Sequence, residues 1–376
     1  MKGFTMATSN LASGTVENRR LLSLDVFRGL TMFLLIGETT FFYEHWLALT
    51  ADGGFLHAFA LQFHHHPWNG LRFWDHIQPI FKFIVGVSKP FSFGARWARG
   101  DSWKQTFSHA LRRSGLLLFL GWALYCIGPG RITFELWNVL AQLSVTFLLA
   151  FLIMRKPVKI QFAVSIGLLL FTEMLFRFWP MAGFDQAFTP AKNFGAWVDL
   201  LLMGKLSNGH WLAFNAIPSS AHTIWGVLAG ILLKSDREWV VKLKYLLIAG
   251  FVMIFVGYAL DPITPIIKRI CTSSFIIVTG GWALVTLAFL YWLIDVRKVG
   301  KWLFFFAIVG MNPLAIYLFT LTGGSEWFQH IIHPFVHGIL AFTPEGFILM
   351  MESLTVWAML WGLTYWLYKK KIFIRI

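Results

Sequence analysis

Ten apolar stretches, each near the length of a bilayer crossing, recur along this chain of 376 residues. They leave little room for any fold but a bundle of membrane helices. A crossing needs about 20 mostly apolar residues, and the stretches at roughly 23–47, 74–95, 113–128, 134–153, 160–180, 211–233, 242–260, 271–294, 302–321 and 347–368 qualify. Two shorter runs, 194–203 and 327–342, read as re-entrant or interfacial pieces, so ten to twelve transmembrane helices are expected. Hydrophobic residues make up 57% of the chain and charged residues 13%, about half the charged share of a soluble domain, which is about 25%. The expected fold class is an all-α polytopic membrane protein, with the lipid bilayer as its first partner.

The net charge of +14 would suggest nucleic acid in a soluble protein. In a membrane protein Lys and Arg collect in cytoplasmic loops instead, so no nucleic-acid partner is expected. Alternate connections separate by this rule. One side holds 22 Lys and Arg, among them Lys2, Arg19, Arg20, Arg96, Arg99, Arg112, Arg113, Arg297, Lys298 and Lys369 to Lys371, whereas the other holds 7, among them Arg72, Arg177, Lys268 and Arg269. Both termini are therefore expected in the cytoplasm: a tail over 1–22, one membrane domain over 23–368, and a second tail over 369–376. The first twenty residues lack the apolar core of a secretory leader, and no internal repeat or long linker divides the chain. Cys126 and Cys271 fall in apolar stretches and read as packing residues, not as a disulfide or metal pair.

Within this frame the segment from Leu61 to Ser92 stands out, because a histidine-rich loop feeds an apolar helix that carries charge. Asp75, Lys82 and Lys89 recur every seven residues, so they share a helix face that drifts about 20° per step and rises about 10 Å per step. A charge at the bilayer centre costs at least about 2.5 kcal/mol and usually faces a cavity or a partner. Pro79 and Pro90 loosen the same helix, and a water-filled channel beside it is the natural reading. On the extracytoplasmic side the topology gathers His64, His65, His66, Asp75, Ser219, Ser220, His222 and Lys268, and near the cytoplasmic face it places Asp25 and Arg28. Structural readings stand beside these: an interfacial loop for the three histidines, snorkelling for Lys89, an ion pair with dipole stabilisation for Asp25 and Arg28, and interfacial belts for the Trp residues, a few of which suit a sugar site. Three adjacent histidines cannot all face one ion, so no metal is expected there.

Arg20 to Glu38, RLLSLDVFRGLTMFLLIGE, contains an SLDxFRG string. His65, Trp68 and Gly70 form HxxWxG, followed by Asp75, Pro79, Phe83, Gly86 and Ser88 as DxxxPxFxFxxGxS. Ile217-Pro218, Pro265-Ile266-Ile267-Lys268 with Thr272 to Phe275, and Gly310-Met311-Asn312-Pro313 follow in order. In these blocks the chain resembles the transmembrane acyltransferases typified by heparan-α-glucosaminide N-acetyltransferase, and especially their bacterial DUF5009-type relatives. The resemblance implies that acetyl-CoA enters from the cytoplasm, that acetyl passes to a glucosamine-type amino sugar across the membrane, and that His65 is the catalytic histidine.

The chemistry of the residues fits that implication. Imidazole is the side chain whose ordinary pKa of about 6.5 suits a base near neutral pH; Asp75 would orient it. Nucleophile and base remain alternative roles for His65. Arg28, Lys82 and Lys89 are the acetyl-CoA candidates, and Glu38, Trp68, Asn69, Lys268 and Asn312 are the acceptor candidates. Acetyl-CoA is expected as a co-substrate with no metal cofactor, in a bacterial inner membrane, with a homodimer left open. The chain departs from the family pattern at Thr39, where animal relatives carry an asparagine, at Gln142 in place of an arginine, and at Cys271 in place of a tryptophan. Beside Thr39, Glu38 is the candidate for an acceptor's ammonium. The alternative reading is a secondary transporter for a sugar or glycan fragment, since buried charge on broken helices suits transport as well.

Overall fold

A computed structural model describes residues 21–374; Lys2, Arg19, Arg20 and Arg375 of the two expected tails lie outside them. Fifteen α-helices follow in order: α1 (Leu22–Glu38), α2 (Phe42–Ala48), α3 (Phe55–Ala60), α4 (Ile77–Ala98), α5 (Trp103–Ile127), α6 (Val139–Ile153), α7 (Val158–Phe178), α8 (Phe194–Met203), α9 (Ser220–Lys234), α10 (Trp239–Ala259), α11 (Ser273–Leu290), α12 (Phe304–Met311), α13 (Pro313–Phe319), α14 (Ser325–Ile339) and α15 (Glu345–Lys369). Among the described residues the one extended pairing is an isolated antiparallel bridge between Asn69 and Ile267. Every expected apolar stretch contains an α-helix, and the two short runs fall on α8 and α14.

Six helices are long and apolar enough to cross a membrane, and the bent pair α12 with α13–α14 makes a seventh candidate. Three expected spans miss that standard for visible reasons. α1 has 17 residues and α6 has 15, while α4 carries Lys82, Lys89 and Arg96. α1 stops at Glu38 instead of running to residue 47 because Thr39 and Thr40 turn their hydroxyls back onto the carbonyls of Ile36 and Gly37, at 2.8 Å each. Those bonds satisfy the carbonyls a helix end leaves open, and Phe41 then turns left-handed with φ 61°. The stretch 302–321 breaks at Asn312, with a 73° bend, because Pro313 has no N–H to continue the helix.

Burial separates the bundle into a centre and a rim. The apolar window of the α9 span is 78% buried, whereas those of α5, α7 and α10 are 22% buried each. The rim helices therefore present rows such as Phe251 and Phe255 outward, as lipid-facing helices do. α4 and α9 lie at the centre and cross with their backbones nearly touching: a Cβ at Gly86 would meet the Thr223 carbonyl oxygen, and one at Gly226 the Phe83 carbonyl oxygen. Contacts tie helix ends together at the two ends of α1. Leu22 and Ser23 backbone N–H groups reach the Asp295 carboxylate at 3.2 and 3.3 Å. At the other end Trp74 donates to Glu38 at 3.0 Å and Thr39 pairs with Ser325 at 2.9 Å.

Candidate active site

Two loops meet where α4 begins. The Gly70 N–H donates to the Ile266 carbonyl at 2.9 Å, beside the Asn69–Ile267 bridge, so the histidine loop and the loop before α11 are tied together by backbone. Gly70 is required at this join. Its φ is +141°, and a Cβ there would fall 2.5 Å from the His66 ring. The tie carries Lys268 to His65, a residue 203 positions away in sequence.

The result is a compact polar triad. His65 Nδ1 lies 3.0 Å from Asp75 Oδ1 and 2.9 Å from Lys268 Nζ, and Lys268 Nζ is 3.5 Å from the same Asp75 oxygen. Asp75 sits in a single 3-10 turn ahead of α4, fully buried, and its second oxygen accepts the backbone N–H groups of Arg72 at 2.9 Å and His66 at 3.2 Å. Arg72 donates to the His65 carbonyl at 2.9 Å, which fixes the backbone that carries the imidazole. Arg269 donates to the carbonyls of Pro67 and Gly209. Trp211 stands edge-on to His65 at 5.4 Å and lies under both Lys268 and Arg269.

Charge within the triad is biased. Burial above all, then the Lys268 ammonium, holds the His65 pKa below its ordinary value, against the pull of Asp75. Burial pushes the Asp75 carboxyl up, but the His65 hydrogen bond, Lys268 and the Arg72 N–H outweigh it and hold that carboxyl below its usual range. Burial also lowers Lys268. Near neutral pH the imidazole is thus neutral beside a carboxylate. Nδ1 has one proton position facing Asp75 and Lys268; when it donates to Asp75, the lone pair is on Nε2. No hydrogen bond among the described residues engages Nε2, and the side chain is 31% exposed.

Below the triad the polar stripe continues inward, as the seven-residue spacing predicts. Asp75, Lys82 and Lys89 are at most 1% exposed. Asp75 to Lys89 spans about 21 Å at 1.5 Å per residue. Lys82 Nζ donates to Gln142 at 2.6 Å and Ser219 at 2.8 Å, and it lies within electrostatic reach of Lys268. Gln142 thus supplies the acceptor that a buried lysine needs. Lys89 Nζ donates to the Phe147 carbonyl at 2.8 Å and sits over the Phe147 ring. Arg113 lies within electrostatic reach of Lys89 and of Arg28, and its buried Nε has no hydrogen-bond partner. Arg28 pairs with Asp25 at 3.7 Å. Lys89 on α4, Arg113 on α5 and Arg28 on α1 are thus basic side chains within electrostatic reach along this chain of neighbours, and Arg113 keeps an open donor, the kind of group that suits phosphate.

The other expected residues fall in different places. Glu38 is held by Trp74 and lies within electrostatic reach of Lys268, so it belongs to the rim of the triad. Trp68 donates to the Phe188 carbonyl at 2.9 Å and braces the loop. Asn69 is exposed and contributes its backbone to the bridge. Thr39 pairs with Ser325 and does not touch His65. Asn312 is not part of the triad. It is fully buried at the α12–α13 break and clamps the chain end, donating to the Ile372 carbonyl at 2.9 Å and accepting the Ile374 N–H at 3.0 Å. Trp211, Arg72 and Arg269 are contributors that pattern reading passed over, with the adjacent Lys268-Arg269 pair on the sparsely charged side as the available signal; Arg113 is one of the arginines expected at the cytoplasmic exit of the second span.

No family model matches the chain. It is 30% identical over 133 residues to heparan-alpha-glucosaminide N-acetyltransferase of Mus musculus, a stretch that covers 34% of this chain and 18% of that protein. It is 30% identical over 147 residues to the Homo sapiens protein of the same name, 37% of this chain and 20% of that one. The chain thus matches about a fifth of the length of these curated relatives, and the similarity supports a distant relationship to them.

Proposed function

We propose that this protein is a membrane acetyltransferase that moves an acetyl group from cytoplasmic acetyl-CoA to an amino sugar of glucosamine type on the opposite face. The observation that carries this reading is a polar line, buried from Asp75 to Lys89, with the His65–Asp75–Lys268 triad at one end and half-buried Arg113 and Arg28 beyond Lys89 at the other. The distant relationship to glucosaminide acetyltransferases supports it.

In this reading the cations near Arg113 take the phosphates of CoA, and Lys82 with Gln142 lines the path of the thioester toward His65. The acceptor nitrogen bonds to the thioester carbonyl carbon, the carbon–sulfur bond breaks, and His65 Nε2 takes the proton that the nitrogen loses and returns it to the CoA thiolate. Should His65 attack first, the same atom carries the acetyl before the acceptor arrives. Asp75 fixes the tautomer and Lys268 stabilises the oxyanion that forms on the carbonyl; Glu38 draws in the acceptor's ammonium, which gives its first proton to water and attacks as the neutral amine. The protein resides in a bacterial inner membrane, as its resemblance to DUF5009-type relatives suggests.

Radiolabelled acetyl transfer to a panel of amino sugars by detergent-purified protein tests the reading, with His65→Ala in parallel. Turnover should require acetyl-CoA and should fall by at least about 100-fold in His65→Ala with unchanged melting. Full activity in that variant would remove His65 from the mechanism. The 73° break between α12 and α13 favours a second reading, a sugar permease. Uptake of labelled sugar into proteoliposomes without acetyl-CoA would select it.

A further inference from the structure

α14 has two unlike faces. Trp327, Ile331, Phe335 and Ile339 point outward, while His330, His333 and His337 recur at helical spacing on the other side. Two of those histidines meet a single carboxylate on α15. His333 Nδ1 lies 3.2 Å and His337 Nε2 3.0 Å from Glu352 Oε2, and the two rings stand 3.9 Å apart. Glu352 is 1% exposed, and the two imidazoles are its only ionic partners among the described residues.

A buried carboxylate in an apolar helix needs a positive partner. Two neutral imidazoles supply hydrogen bonds but no charge, and both aim a ring nitrogen at the same carboxylate oxygen. One divalent cation among the three ligand atoms resolves this. All three atoms lie within 4.8 Å of one another. A tetrahedral zinc with bonds of about 2.0–2.1 Å sets its ligands about 3.3 Å apart, close to the two nitrogen–oxygen separations observed. Nitrogen donors select a transition ion over calcium or magnesium, and histidines four apart on one helix form a known zinc-binding spacing. The His333 side chain is 55% exposed, which leaves a fourth position open to water.

We propose that His333, His337 and Glu352 bind one zinc ion that clasps α14 to α15. The cluster shares no residue with the His65 triad, so the proposal does not depend on the acetyltransferase reading.

The test uses the full chain, with any polyhistidine tag removed, stripped by EDTA and titrated with zinc against a chromogenic chelator. Wild type should bind one equivalent per chain. His337→Ala and Glu352→Gln should each weaken binding at least about tenfold, whereas a His64→Ala/His66→Ala control should keep it. Zinc should raise the melting temperature of wild type and leave that of Glu352→Gln unchanged, a comparison made only between variants whose metal-free melting matches wild type. Cobalt in place of zinc should give the visible absorption of a tetrahedral site in wild type and in the His64→Ala/His66→Ala control but not in His337→Ala or Glu352→Gln. Equal zinc affinity in wild type and His337→Ala, or loss of binding only in the His64→Ala/His66→Ala control, overturns the assignment.

Discussion

Replacing Gly70 by alanine tests whether the join between two loops, more than any single side chain, builds the active site. At φ +141° an L-residue pays about 1–3 kcal/mol of backbone strain. The added Cβ also falls 2.5 Å from the His66 ring, whose displacement costs about 1–3 kcal/mol by the measure of overpacked sites. Together these make about 2–6 kcal/mol, and the least costly relief is for residues 69–70 to leave the Ile266–Ile267 backbone. Lys268 then loses its place beside His65. A misplacement of about 1 Å in such a group costs about 100-fold in rate, so transfer should fall by that order while the helices stay folded. Gly100→Ala is the matched control, since its φ is +94° with nothing within 4 Å of a Cβ; it pays strain without a clash and lies far from the triad. Thermal melting in mild detergent and acetyl transfer would be measured on both. Equal melting and equal turnover in Gly70→Ala and Gly100→Ala would refute the reasoning.

Lys268→Met and Asp75→Asn should move the acidic limb of kcat/KM in opposite directions: loss of the ammonium raises the His65 pKa and shifts the limb to higher pH, and loss of the carboxylate lowers it and shifts the limb to lower pH. Wild type should already keep its activity below the pH at which an ordinary histidine becomes protonated, because burial and Lys268 favour the neutral base; a pH–rate series checks all three. Lys82→Met should leave stability within about 1 kcal/mol or raise it, while Gln142→Leu should cost about 1–3 kcal/mol by stripping an acceptor from a buried ammonium, as read by denaturation in detergent. Asn312→Ala should free the chain end, so that protease cuts after Lys371 faster than in wild type while cutting elsewhere is unchanged.

Periodicity and length made the helices legible, because a crossing segment must bury or satisfy its own backbone whatever its neighbours do. The apolar run 194–203 coincides with α8, and the seven-residue stripe faces inward from Asp75 to Lys89. What local pattern could not supply was any pairing set by long-range backbone contact. Lys268 reads as an acceptor candidate on the same side as His65, but its direct contact with the imidazole appears only with the Asn69–Ile267 bridge. Asn312 sits in a motif that reads as a ligand site, yet its amide is satisfied by Ile372 and Ile374. The end of α1 at Glu38 depended on two threonine hydroxyls, which hydropathy does not register. The pairing of His333 with His337 was not read from the sequence, and the carboxylate between them comes from α15, fifteen residues beyond His337. Apart from the end of α1, the missing information was which loop or helix meets which; for α4 the close crossing of Gly86 on Gly226, where absence of a side chain lets the backbones approach, brings Lys82 to Gln142 on α6 and to Ser219 ahead of α9.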